Sequence, residues 1–244
     1  MRVERSLPLP PLMVVETLAL FLARLIAGYC ICLGMVGPMV TSGSWPRISL
    51  FVITGLSATA FAAGVPWIAC AVVAGLALVI ERARTFEVPV LSSTLWMVPA
   101  GLYVLSTQEG FPPTFSGLVG GIVAGGTLGT MLLGHSYLTA RGLSFKPLRV
   151  MANVLFGLLA ARALQVGLLI ALADGLGMGE WIYLMARIAF GLLLPLLFAW
   201  MVVQCVKIES NQSATGILYA MTALVGTGEL IAAFLYLQPN GVAA

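Results

Sequence analysis

Apolar stretches follow one another along almost the whole chain, and their lengths decide what it can fold into. The hydrocarbon of a bilayer is about 30 Å thick and takes about 20 mostly apolar residues of helix. The spacing predicts eight passes, over 13–40, 48–64, 66–81, 90–106, 115–138, 149–173, 181–206 and 214–237. In a chain of 244 residues, eight passes leave almost nothing for a domain outside the membrane. The expected fold is therefore all-α, a polytopic integral membrane helix bundle forming one transmembrane domain over 1–244. The count turns on residues 48–80, about 50 Å of helix if continuous, with Gly64-Val65-Pro66 at the middle. A tight turn there makes two short helices; a bent or re-entrant element makes seven passes in all.

Composition agrees with that reading. Apolar residues make up 60% of the chain and charged residues 9%, against about 25% charged in a soluble domain. A large soluble catalytic domain is excluded. The first apolar run, after Pro8 to Pro11, is far longer than a signal-peptide core and lacks a clean cleavage site, so it reads as a retained helix.

Lys and Arg in short loops favour the cytoplasmic side. Arg47, Arg82, Arg84, Arg141, Lys146, Arg149 and Lys207 fall on one side of the eight-pass arrangement, and only Arg2 and Arg5 on the other. Loops 81–87, 139–148 and 207–213 are expected to be cytoplasmic and the C-terminus outside, in a bacterial inner (plasma) membrane. The second half keeps this orientation with seven passes. Trp45, Trp67, Trp96 and Trp181 fall near expected span ends, as interfacial tryptophans do. The net charge of +3 comes from the inner loops and reports orientation; the expected partners are lipid and other membrane subunits, with no nucleic acid. Asn211-Gln212-Ser213 matches a glycosylation sequon on the expected cytoplasmic side and is read as chance.

Several chemistries fail on residue counts. The chain has one histidine, His135, which excludes a bis-histidine haem and a multi-histidine metal centre. Cys30, Cys32, Cys70 and Cys205 lie in apolar stretches without a C-x-x-C pair and read as buried packing residues. Ser136 follows His135, but adjacent helical residues point about 100° apart, so they make no nucleophile–base dyad. No G-x-S-x-G, H-E-x-x-H or Walker sequence is present, and the isolated chain is not expected to be catalytic.

Two constellations remain. On the fifth pass, Gly117, Gly121, Gly125 and Gly129 recur every four residues, with Gly120, Gly126 and Gly134 beside them. Such a stripe lets another backbone, or a flat cofactor ring, approach without a Cβ in the way. His135 closes this helix, with Met131 on its face; an imidazole there can ligate haem iron or chlorin magnesium, hydrogen-bond a quinone, or carry a proton. The second constellation is charged. Ionisable groups inside spans are costly and mark sites by default. Arg162, Arg187 and Glu229 converge at similar depth on the last three passes, with Gln165 one turn from Arg162. Glu229 paired to one arginine leaves the other for an anionic ligand, a cavity or another subunit. Arg24 on the first pass is about 80° around the helix from Glu16, too far for a pair, and is a candidate for the same cluster. Thr215, Tyr219, Thr222 and Glu229 share one stripe of the eighth pass, and Pro195 should kink the seventh.

Two function classes remain open. In one, the protein is the membrane subunit of an electron-transfer or respiratory-type complex, contacting haem, chlorin or quinone through His135, Met131 and the face of Gly121, Gly125 and Gly129. In the other, it is a small-solute transporter or permease whose site is Arg162, Gln165, Arg187, Glu229 and Tyr219.

Overall fold

The computed structural model describes residues 10–36, 45–65, 111–139, 144–171 and 178–237. Among these residues the fold is helical throughout, without a strand. The elements are α1 (Pro10–Val36), α2 (Trp45–Ala62), α3 (Phe111–Thr139), α4 (Lys146–Ala171), α5 (Met178–Ile188), a π-helical segment (Ala189–Leu193), α6 (Leu194–Lys207) and α7 (Asn211–Leu237). The first four each open with proline in the first turn, at Pro10, Pro46, Pro112 and Pro147. Proline fits there because the first N–H groups of a helix have no intrahelical acceptor to lose.

Five segments are long and apolar enough to cross a bilayer: Met13–Leu33, Phe115–Thr139, Lys146–Ala171, Trp181–Lys207 and Asn211–Leu237. They correspond to the first and the last four expected passes. The second expected pass, 48–64, corresponds to α2, Trp45–Ala62, which has about the expected length. The apolar part of α2, Phe51–Ala62, reaches only about 18 Å at 1.5 Å per residue, well short of the hydrocarbon thickness. α2 ends where the sequence placed a turn. Gly64 has φ 89°, and the Val65 N–H donates to Ala60 O while the Gly64 N–H donates to Phe61 O, both at 3.0 Å. This is a glycine-capped helix end in which the left-handed residue satisfies the last carbonyls. The expected third and fourth passes, with Trp67, Trp96, Cys70 and loop 81–87, lie outside the described residues.

α3 is the most buried of the five. Its broadest contact is with α1, and it also packs against α7 and α4; α7 in turn touches α6, α1, α5 and the π segment. Leu133, Leu148, Leu155, Leu159, Leu218 and Met221 fill the space between these helices. The outward faces carry Leu164, Leu168, Ile182 and Phe51, each well exposed. In water that apolar area would cost about 25 cal/mol per Å²; against lipid tails it costs nothing. Trp45 departs from its expected interfacial role. It is 2% exposed, packed into the core with its Nε1–H unpaired, whereas Trp181 is 40% exposed at a helix start.

Candidate functional site

Four charged residues within the spans, Arg24, Arg162, Arg187 and Glu229, meet in one place, and with Ser116 every one of the five long segments contributes. Arg162 (α4) faces Glu229 (α7) in a two-point ion pair: Nε donates to Oε1 at 3.2 Å and Nη2 to Oε2 at 3.0 Å. Its Nη1 donates to Ser116 O at 2.9 Å and Ser116 Oγ at 2.8 Å on α3, and to Gln165 Oε1 at 2.9 Å. Arg162 is 0% exposed and Glu229 5%. Planar guanidinium matches carboxylate geometry at two points, the arrangement that makes a buried pair tolerable.

Two further arginines flank the pair. Arg24 (α1) is 2% exposed, its guanidinium 5.7 Å from the centre of the Tyr236 ring. Its Nε, Nη1 and Nη2 are buried and have no hydrogen-bond partner among the described residues. Arg187 (α5) is likewise 2% exposed, with Nη2 unpartnered. Both lie close enough to Glu229 and Arg162 to interact with them electrostatically. The cluster thus holds three cations and one carboxylate among the described residues, an excess of two positive charges. An uncompensated charge inside a protein costs several kcal/mol, so burial of these two guanidinium groups is an energetic expense that the described residues do not offset.

Local structure explains the convergence. Ser116 and Gly120 are one turn apart on α3, on the side facing α4 and α7. A Cβ on Gly120 would fall closer than 3.0 Å to Glu229 Oε2 and Arg162 Nη2, so glycine here is the room the ion pair occupies. The fourth long segment needs a correction in register. In a continuous α-helix the buried residues of α6, Pro195, Ala199, Val202 and Val206, would lie about 60° to 120° around from Arg187. The π segment contains one extra residue per turn, with the Leu194 N–H donating to Ala189 O, and rotates α6 back by about 100°. Arg187 and the buried stripe of α6 then share one direction. The segment directly precedes Pro195, whose missing N–H already breaks the α-helical ladder. Gly191 within it lies against Gly228, where a Cβ on either would meet the other's Cα inside 3.0 Å.

Depth along the helices is consistent. Ser116 is five residues into α3 and Arg187 nine into α5, while Arg162 and Glu229 lie nine and eight residues before their helices end. At 1.5 Å per residue these four residues sit about 8 to 14 Å below one end of the bundle, and Arg24 reaches them from 14 residues into α1. Among the residues expected in the charged site, Arg162, Gln165, Arg187 and Glu229 are brought together, and Arg24 joins them. Tyr219 is not with them: it lies ten residues, about 15 Å, from Glu229 along α7.

Tyr219 is instead hydrogen-bonded to His135, its Oη 2.8 Å from Nδ1, with the rings edge to face. Ser136 points elsewhere and donates to Leu133 O at 2.7 Å, as adjacency on a helix requires. Met131 is half-buried against the apolar core.

The glycine face has a different use from a cofactor groove. A Cβ on Gly121 would strike Arg24 O, one on Gly125 would strike Tyr29 N, one on Gly129 would strike Cys32 Sγ, and one on Gly28 of α1 would strike Gly121 O. The backbone of α1 fills this face, so these glycines serve close helix packing and leave no room on it for a flat ring. Cys30 and Cys32 are buried and Cys205 half-buried, all as free thiols.

Ser116, the Arg24–Tyr236 contact and the His135–Tyr219 bond were not anticipated. The position of Ser116 one turn before Gly120 was the available signal; the other two are contacts between helices far apart in sequence, which periodicity cannot pair. No protein-family model, curated protein or solved structure matches this chain.

Proposed function

We propose that this protein is a small-solute permease whose substrate carries negative charge and docks at the intrabundle arginine cluster. One observation carries the reading: Arg24 and Arg187, buried beside an already paired Arg162 and Glu229, have guanidinium nitrogens with no acceptor among the described residues. Arginines kept inside a bundle at such cost mark substrate or ion pathways. The electron-transfer alternative relied on an open glycine face, and the packing of α1 on Gly121, Gly125 and Gly129 favours transport over it.

The test is uptake of radiolabelled anions into proteoliposomes containing the full chain. The expected result is saturable uptake of an anion by the wild type and a fall to below about a tenth of that rate in Glu229→Gln, which leaves Arg162 without its carboxylate. Wild-type vesicles that accumulate no anion, or a Glu229→Gln variant with full uptake, would discard the assigned site.

A further inference from the structure

The hydrogen-bond inventory of the cluster separates the arginine that holds the site together from those that face its occupant. A guanidinium has five N–H donors. All three nitrogens of Arg162 already have acceptors: Nε and Nη2 the two Glu229 oxygens, and Nη1 the carbonyl and hydroxyl of Ser116 and Gln165. It has almost nothing left to offer a ligand. Arg24 has all three nitrogens free, with its plane supported by Tyr236, and Arg187 has a free Nη2. These two side chains enter from α1 and α5, different walls of the bundle, and both sense the same Glu229.

Resting on the anion-permease reading above, we infer that the site takes a small dianion, the chemistry of a short dicarboxylate or of hydrogenphosphate. Its negative charges are held by Arg24 and Arg187, while Arg162 acts as a positioning residue for Glu229. Charge selects the class. Among the described residues Glu229 neutralises one of three guanidinium groups, so an occupant of charge −2 leaves the cluster neutral and a monoanion leaves one cation uncompensated in a low-dielectric interior, where that imbalance is most costly. Geometry selects the holders, because among the described residues Arg24 and Arg187 are the cluster arginines with buried guanidinium nitrogens that meet no acceptor.

The experiment is equilibrium titration calorimetry of the full chain in vesicles of phosphatidylcholine, which carries no anionic headgroup to compete. Succinate, hydrogenphosphate, acetate and chloride are compared at pH 8 and constant ionic strength. Succinate or hydrogenphosphate is expected to bind at least about ten-fold more tightly than acetate and chloride, and the better of the two identifies the source. Arg24→Gln and Arg187→Gln, each lowering the cluster by one charge, should erase most of that preference. Arg24→Lys and Arg187→Lys should keep it at weaker overall affinity, because charge is retained and the two-point fork is lost. A merely structural role for the arginines would not move a ratio of affinities. Tighter binding of a monoanion to the wild type, or an unchanged ratio in both glutamine variants, overturns the dianion assignment while leaving an anion site. Binding of none of the four overturns the permease reading with it. Where a glutamine variant fails to fold, wild-type stoichiometry decides: one dianion per chain supports the inference, and two monoanions refute it.

Discussion

Gly120 is where a single side-chain atom would undo the cluster. Its missing Cβ leaves the volume in which Glu229 Oε2 and Arg162 Nη2 meet, and both groups are hemmed in by α3, α4 and α7. Gly120→Ala should force the pair apart, and breaking a buried pair costs about 3–5 kcal/mol. Gly126 on the same helix has nothing within 4 Å of its would-be Cβ, and alanine there gains helix propensity. Thermal unfolding in mild detergent should therefore show a large drop in Tm for Gly120→Ala and none for Gly126→Ala; equal behaviour of the two would mean that the pair does not depend on that space. The importance of Arg162, Arg187 and Glu229 could be read in the sequence because charge inside an apolar span is conspicuous by itself. That Glu229 chooses Arg162 over Arg187, and that Ser116 completes the set, could not be read. Those choices depend on rotation of the helices to within tens of degrees, which a periodic pattern leaves open.

At the scale of elements, α3 presents two faces of different use. Gly121, Gly125 and Gly129 let α1 approach to backbone contact, while Ser116, Gly120 and Gly134 turn toward α4 and α7. The first face also supports the site, because Gly121 lies directly against the backbone of Arg24; close packing there carries that guanidinium to the cluster. Gly125→Leu should push α1 away and cost both stability and anion binding. Gly157→Leu on α4, where the position is open, serves as the control and should leave both within error, as read by thermal unfolding and calorimetry. The four-residue glycine period was legible in the sequence, and so was the meaning of a surface that something approaches closely. The identity of that something was not: a helix and a flat ring ask for the same absence of Cβ. The fourth long segment shows the same limit. Pro195 announced a break in the ladder, but the preceding π-helical turn, which brings Arg187 into line with α6, is a register correction visible only once neighbouring helices are in place.

At the scale of the molecule, basic residues outside the cluster gather at one end of the described bundle. Lys146 and Arg149 begin α4, Lys207 ends α6, and Arg149 Nη2 lies 3.8 Å from Glu209 Oε1, which puts both connections at one end. That exposed ion pair contributes little stability; its significance here is positional. Basic residues in short loops are retained on the cytoplasmic side, so this end should face the cytoplasm. The arginine cluster, about 8 to 14 Å from the opposite end, would then be reached first from outside, which suits an importer of anions. Ile208, 77% exposed in the α6–α7 turn, offers a direct check. With Cys30 and Cys32 buried, Cys205 half-buried and Cys70 replaced by alanine, Ile208→Cys should react with a membrane-impermeant maleimide in inside-out vesicles and not in intact cells. Labelling in intact cells would invert the bundle, place the cluster nearest the cytoplasm, and turn the expected direction of loading from import to export.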